Sequence, residues 1–125
     1  MKKPRFATPI FLVRHQAEKD LFGVIRELGN LGFDAFEMGG LYGNDPEEVR
    51  QAAEEACLEI LMDHVPYTEF ETKLKEVIAT RKALGSKYIS ICKIPEDKYP
   101  GGVNFSEGIR FIYHVAEEVK KAGMT

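Results

Sequence analysis

Short apolar runs alternate with longer amphipathic stretches four times along this chain, and that order constrains the fold more than any single motif does. "PIFLVR" (Pro9–Arg14) reads as a first strand, and from about Lys19 to Leu31 the residues Leu21, Val24, Ile25, Leu28 and Leu31 recur at helical spacing. Gly32 ends that helix, and "DAFEM" (Asp34–Met38) reads as a second strand. "NDPEE" then supplies Asp45 as a cap, Pro46 in the first helical position and Glu48 three residues after the cap. Val49, Ala52, Ala53 and Ala56 form the inner face of that second helix.

"EILMDHV" (Glu59–Val65) is the third strand. Thr68 with Glu71 predicts a capping box for a helix that buries Phe70, Leu74, Val77, Ile78 and Leu84 and stops at Gly85. "KYISICKI" (Lys87–Ile94) is the fourth strand, and Asn104 with Glu107 predicts the start of a last helix with Ile109, Ile112, Ala116 and Val119 inward. Lys120, Lys121 and Gly123 suit a helix end. Met124 and Thr125 would begin a fifth strand, so residues 1–125 are expected to form a single (βα)4 domain that stops short of it.

Strict βα alternation implies a parallel sheet with right-handed crossovers. Two closures fit. An open doubly wound sheet needs helices on both faces, whereas a barrel needs helices outside only. In the fourth strand Ile89, Ile91 and Ile94 are apolar while Ser90 and Cys92 share the other face. Phe36 and Met38 likewise oppose Ala35 and Glu37, and counting by twos puts Ile60, Met62 and His64 together. One greasy face and one that turns small or polar toward the strand ends favours half of a TIM barrel, an α/β fold. The open doubly wound parallel sheet is the alternative.

Composition narrows the function classes. Hydrophobic residues make up 44% and charged ones 30%, the balance of a soluble globular protein. A formal charge of −3 argues against a nucleic-acid partner. Cys57 and Cys92 make no metal or disulfide pattern and are expected to be reduced thiols of a cytoplasmic protein. Pro9 and Arg14 interrupt the N-terminal apolar run, which therefore reads as neither a signal peptide nor a membrane span.

"LVR", "EKDLFGVIRELGNLGFDAFEMGGLYGNDPEEVR", "LEILMDHVP" and "LGSKYISICKIP" follow one another in an order that resembles the N-terminal half of the sugar phosphate isomerase/epimerase family, the xylose-isomerase-like TIM barrels. The resemblance covers nearly the whole chain. It implies proton transfer beside a sugar carbonyl through an enediolate, with a divalent metal (Mn, Mg or Co) in the full-length family. The metal ligands of that family come mainly from later strands, so the resemblance implies that this chain alone binds none.

Glu37 and His64, at the ends of the second and third strands, are the expected catalytic pair. A solvated glutamate and a structural histidine are the plainer readings. Arg14 could clamp a phosphate or hydroxyl of a sugar substrate, or pair with Glu37 instead. Tyr42 in "GLYG" could wall the sugar site or simply pack its loop. Asp63 has the opposite parity from His64 and is expected to face the helices. Cys92 or Ser90 stands where a related endonuclease branch would need a further metal ligand. The loop "PEDKYPGG" (Pro95–Gly102) is a candidate lid.

Two functions therefore stand side by side. One is the substrate-pocket half of a sugar (phosphate) isomerase or epimerase. The other is a non-catalytic half barrel, truncated or designed, that self-associates. A homodimer or a missing C-terminal half are the expected partners, because a bare half barrel leaves two sheet edges unpaired.

Overall fold

A computed structural model describes residues 3–125. Its strands are β1 (Ala7–Pro9), β2 (Ala35–Met38), β3 (Glu59–Pro66) and β4 (Tyr88–Cys92), alternating with helices α1 (Arg14–Asn30), α2 (Pro46–Glu55), α3 (Tyr67–Leu84) and α4 (Phe105–Lys121). All three strand pairings are parallel, and the spatial order is β1-β2-β3-β4. That order decides between the two closures. Every crossover steps in the same direction, and right-handed crossovers then place all the helices on one face. A doubly wound sheet needs a strand order that reverses, and none does here.

Sheet and helices enclose two apolar clusters. Ile10, Leu21, Ile25, Phe36, Met38 and Val49 centre one of them beneath α1 and α2. Val65, Phe70, Val77, Val115 and Val119 form the other beneath α3 and α4. Among the described residues no helix is long and apolar enough to cross a membrane.

Three local departures from the sequence expectations have physical causes. The first strand ends at Pro9, paired with Glu37, and Ile10–Val13 winds into a 3-10 turn instead of extending to Arg14. β2 ends at Met38, one position past the partner of Pro9, so residues 11–13 would run beyond it with no ladder to join, and the segment satisfies its backbone locally. The helix expected from about Lys19 does have a boundary there. Asp20 leaves helical geometry (φ −156°, ψ 82°) and its Oδ1 accepts from the Gly23 amide at 2.9 Å, an internal cap.

The third departure is a bulge. Phe36 pairs with Ile60 but Glu37 pairs with Met62, leaving Leu61 as the extra residue. Ile60 therefore shares the helix-facing side with Asp63 and Val65, all buried, while Met62 and His64 stay on the other side. Counting by twos across a bulge assigns Ile60 to the wrong face.

Of the three expected capping arrangements, Asp45 forms as read, its carboxylate accepting from Glu47 N and Glu48 N. Thr68 does not cap. Helix α3 already starts at Tyr67 after Pro66, and it breaks helical geometry at Lys73. Asn104 occupies the N-cap of α4, but its amide donates to Asp97 Oδ2 at 2.7 Å instead of capping. The inner face of α4 is rotated from the expected one. Gly108, Val115 and Val119 are buried, whereas Ile109 is 38% exposed.

The loop read as a candidate lid is fastened down. Lys98 is largely buried, lies over the Tyr67 ring and bonds Glu71 at 3.3 Å. Asn104 N also donates to the Asp97 carbonyl at 2.9 Å. A Cβ at Gly102 would overlap that same Asp97 carbonyl. Gly102→Ala is accordingly expected to cost about 1–3 kcal/mol through forced loop displacement. Urea denaturation of the variant checks it, and an unchanged midpoint would mean the loop is free to shift.

At the far edge, the Ile89 amide of β4 donates to the Thr125 carbonyl at 2.9 Å.

Candidate functional site

A cleft of about 640 Å³ opens at the carboxyl ends of the strands. Glu37 and His64 both line it, as do Gly39, Gly40, Cys92 and Lys93. Because Glu37 pairs with Met62 and His64 pairs with Ser90, the two side chains share the sheet face away from the helices. They meet there: His64 Nε2 lies 3.1 Å from Glu37 Oε2. With its proton on Nε2 the imidazole donates to the carboxylate, and the pair is only partly shielded from water. A carboxylate that can accept a proton beside an imidazole that can donate one is the minimal apparatus for moving a proton between neighbouring atoms.

Arg14 and Tyr42 stand outside the cleft lining. Arg14 heads α1 instead of closing β1, stacks 4.5 Å from the centre of the Phe11 ring and donates to the Phe11 carbonyl at 3.1 Å. Among the described residues it makes no ion pair with Glu37. Tyr42 adopts a left-handed backbone (φ 51°) and packs on the cluster beneath α1. Burial pushes its hydroxyl above the ordinary tyrosine value; Glu18 adds to the rise and Arg14 opposes it.

Two residues of the cleft escape sequence reasoning. Phe11 is 60% exposed and presents its ring at the rim, a position created by the 3-10 turn after β1. Arg81 lies 42 positions after Gly39 in no recognisable motif, yet it reaches the same cleft from α3. Its Nε bonds Asp63 Oδ2 at 2.5 Å, and Asp63 faces the helices as its parity implies.

Cys92 lines the cleft opposite Pro66. Burial pushes its thiol up, with nearby Lys93 pulling the other way, so at neutral pH little thiolate is available. Cys57 is exposed. Iodoacetamide at neutral pH is therefore expected to label Cys57 first, read by peptide mass mapping; equal labelling would mean that the cleft is far more open. Among the described residues no group of three or more His, Cys, Asp or Glu side chains could hold a metal ion. Glu37 and His64 are two side-chain donors of types that divalent metals accept.

No family model matches the sequence, and no curated protein matches it. Solved structures do match. The chain superposes on a sugar phosphate isomerase/epimerase from Parabacteroides distasonis with TM-score 0.74 at 16% identity, covering 99% of this chain and 50% of that one. Another sugar phosphate isomerase/epimerase structure from the same organism gives TM-score 0.77 at 16% identity, with coverage of 98% and 52%. A xylose isomerase domain containing protein from Salmonella typhimurium gives 0.72 at 16% identity, with coverage of 100% and 48%. The chain thus spans about half the length of the structures it matches. The likeness establishes the fold: four parallel βα units corresponding to half of a TIM-barrel-like isomerase chain.

Proposed function

We propose that this chain is the substrate-pocket half of a sugar (phosphate) isomerase or epimerase. The observation that carries the reading is the Glu37–His64 contact of 3.1 Å, set in an open cleft at the carboxyl ends of parallel strands. Catalytic groups of barrel enzymes gather at that end. In the proposed chemistry the Glu37 carboxylate takes the proton from the carbon beside the substrate carbonyl. The electrons of the broken C–H bond form a carbon–carbon double bond, and His64 supplies a proton to the carbonyl oxygen. In isomerisation a proton returns to the former carbonyl carbon while the hydroxyl of the first carbon gives its proton to His64 and becomes the new carbonyl; in epimerisation a proton returns to the opposite face of the first carbon while the enol hydroxyl gives its proton back to His64 and restores the original carbonyl.

A divalent metal (Mn, Mg or Co) belongs to the proposal only where further ligands join Glu37 and His64 from outside the chain. No step above is routed through it. The test is a panel of ketose and aldose phosphates incubated with the protein, with and without each of these metals, and followed by NMR. Interconversion of any pair supports the reading, and inert substrates under every condition contradict it.

A second reading has its own observation. Between β4 and α4 lies an apolar groove of about 470 Å³, lined by Ile89, Ile91, Ile112, Val115 and Met124 among others. We propose that a second copy of the chain covers it, extending the sheet where Thr125 already bonds Ile89. Light scattering on a size-exclusion column decides: twice the 14.1 kDa chain mass supports self-association, and a monomer at high concentration rejects it.

A further inference from the structure

We propose that Arg81 is the oxyanion-binding residue of the cleft, holding the phosphoryl group of a small substrate with Lys93 as its second cation. The inference rests on the reading of the cleft as a substrate site and adds the part of the ligand that is recognised there.

Arg81 is only 7% exposed, and what remains accessible belongs to a residue that lines the cleft. A guanidinium buried for structural reasons alone is expected to spend its donors on protein acceptors. This one does not. Its Nε alone bonds Asp63, and neither Nη group has a hydrogen-bond partner among the described residues. The carboxylate is equally under-used, since Asp63 Oδ1 is buried without a partner. Side-by-side pairing would have engaged both oxygens, so the observed contact leaves the terminal edge of the fork unspent.

That geometry is an anchored fork. Asp63, fully buried, fixes the guanidinium through one nitrogen, and the two Nη groups remain to grip two oxygens of a tetrahedral anion. Lys93 follows β4 at the same cleft, is exposed, and makes no ion pair among the described residues. Two carboxylates share the cleft. Glu37 is occupied by His64, and Glu69 lies in the first turn of α3. Arg81 and Lys93 are the two cations of the cleft lining and define the place for a phosphoryl group, while the polyhydroxy end of the ligand points to the Glu37–His64 pair.

Inorganic phosphate, titrated into the 125-residue chain and followed in amide NMR spectra, tests this directly. The expected result is saturable movement of the Gly39, Gly40 and Lys93 amides. Removing Arg81 alone would strand a buried carboxylate, so the informative variant is Asp63→Asn with Arg81→Gln, two amides that can still bond each other. In that variant, shown to be folded by circular dichroism, phosphate affinity is expected to fall at least about tenfold. Lys93→Gln, at an exposed position that leaves the fold intact, is expected to weaken binding about two- to fivefold.

Non-saturable shifts in the native chain overturn the proposal. So does undiminished affinity in either variant. Phosphate binding without any sugar turnover would leave this inference standing and remove the isomerase reading. Turnover by a protein whose cleft amides ignore phosphate would do the reverse.

Discussion

Asp63→Ala is expected to remove about 3–5 kcal/mol of folding stability, because it leaves the Arg81 guanidinium buried without its counter-charge. The carboxylate is fully sealed, so water cannot take its place against Arg81 Nε without opening the layer between β3 and α3, even though the Nη edge faces the cleft. A domain of this size has a typical stability of about 5–15 kcal/mol, so the loss approaches the point of unfolding. Urea denaturation should show a much lower midpoint with a similar slope. The double change Asp63→Leu with Arg81→Met should recover most of the loss, since a buried pair replaced by apolar side chains of similar volume is commonly neutral or stabilising. A loss below about 1 kcal/mol in the single variant would mean that the pair is solvated after all.

Glu37→Gln is expected to slow the proposed proton transfer by about 100- to 10,000-fold. Glutamine keeps the length of the side chain and can still bond His64, but it cannot accept the substrate proton. The loss should therefore appear in kcat, with KM little changed, as for a group that acts only during the chemical step. Glu37 is partly exposed at the cleft, so the substitution leaves the fold intact and a fall in activity reports chemistry and not unfolding. Retention of most of the activity would assign the base elsewhere in the cleft, with Glu69 the next carboxylate to examine.

The order of elements was legible in the sequence because each strand and helix carries its own periodicity. Asp45 and Pro46 announce α2, and Gly85 ends α3 with the left-handed φ of 75° that glycine tolerates. Glu37 and His64 were legible too, as polar residues at the ends of apolar strands. Their meeting was not, because it depends on the extra residue at Leu61, which sets the register between β2 and β3. A bulge leaves no compositional mark in a run as uniformly apolar as "ILM" (Ile60–Met62).

Ile10–Val13 misleads for a different reason. Its residues suit a strand, but strand geometry needs a neighbour, and β2 stops too soon to provide one. Arg14 heads α1 in consequence and stacks on Phe11, whose ring stands at the cleft rim. Arg81 was invisible for yet another reason: on a helical wheel it is a charged residue near the end of α3, and only its approach to Asp63 across the layer gives it meaning.

Proton transfer by Glu37 is tested most directly by solvent-deuterium incorporation into a sugar phosphate incubated with the protein in D₂O. Proton abstraction by Glu37 predicts deuterium at the carbon beside the carbonyl, sharply reduced by Glu37→Gln. Isomerisation or epimerisation with no such exchange, or exchange that Glu37→Gln leaves untouched, would contradict it.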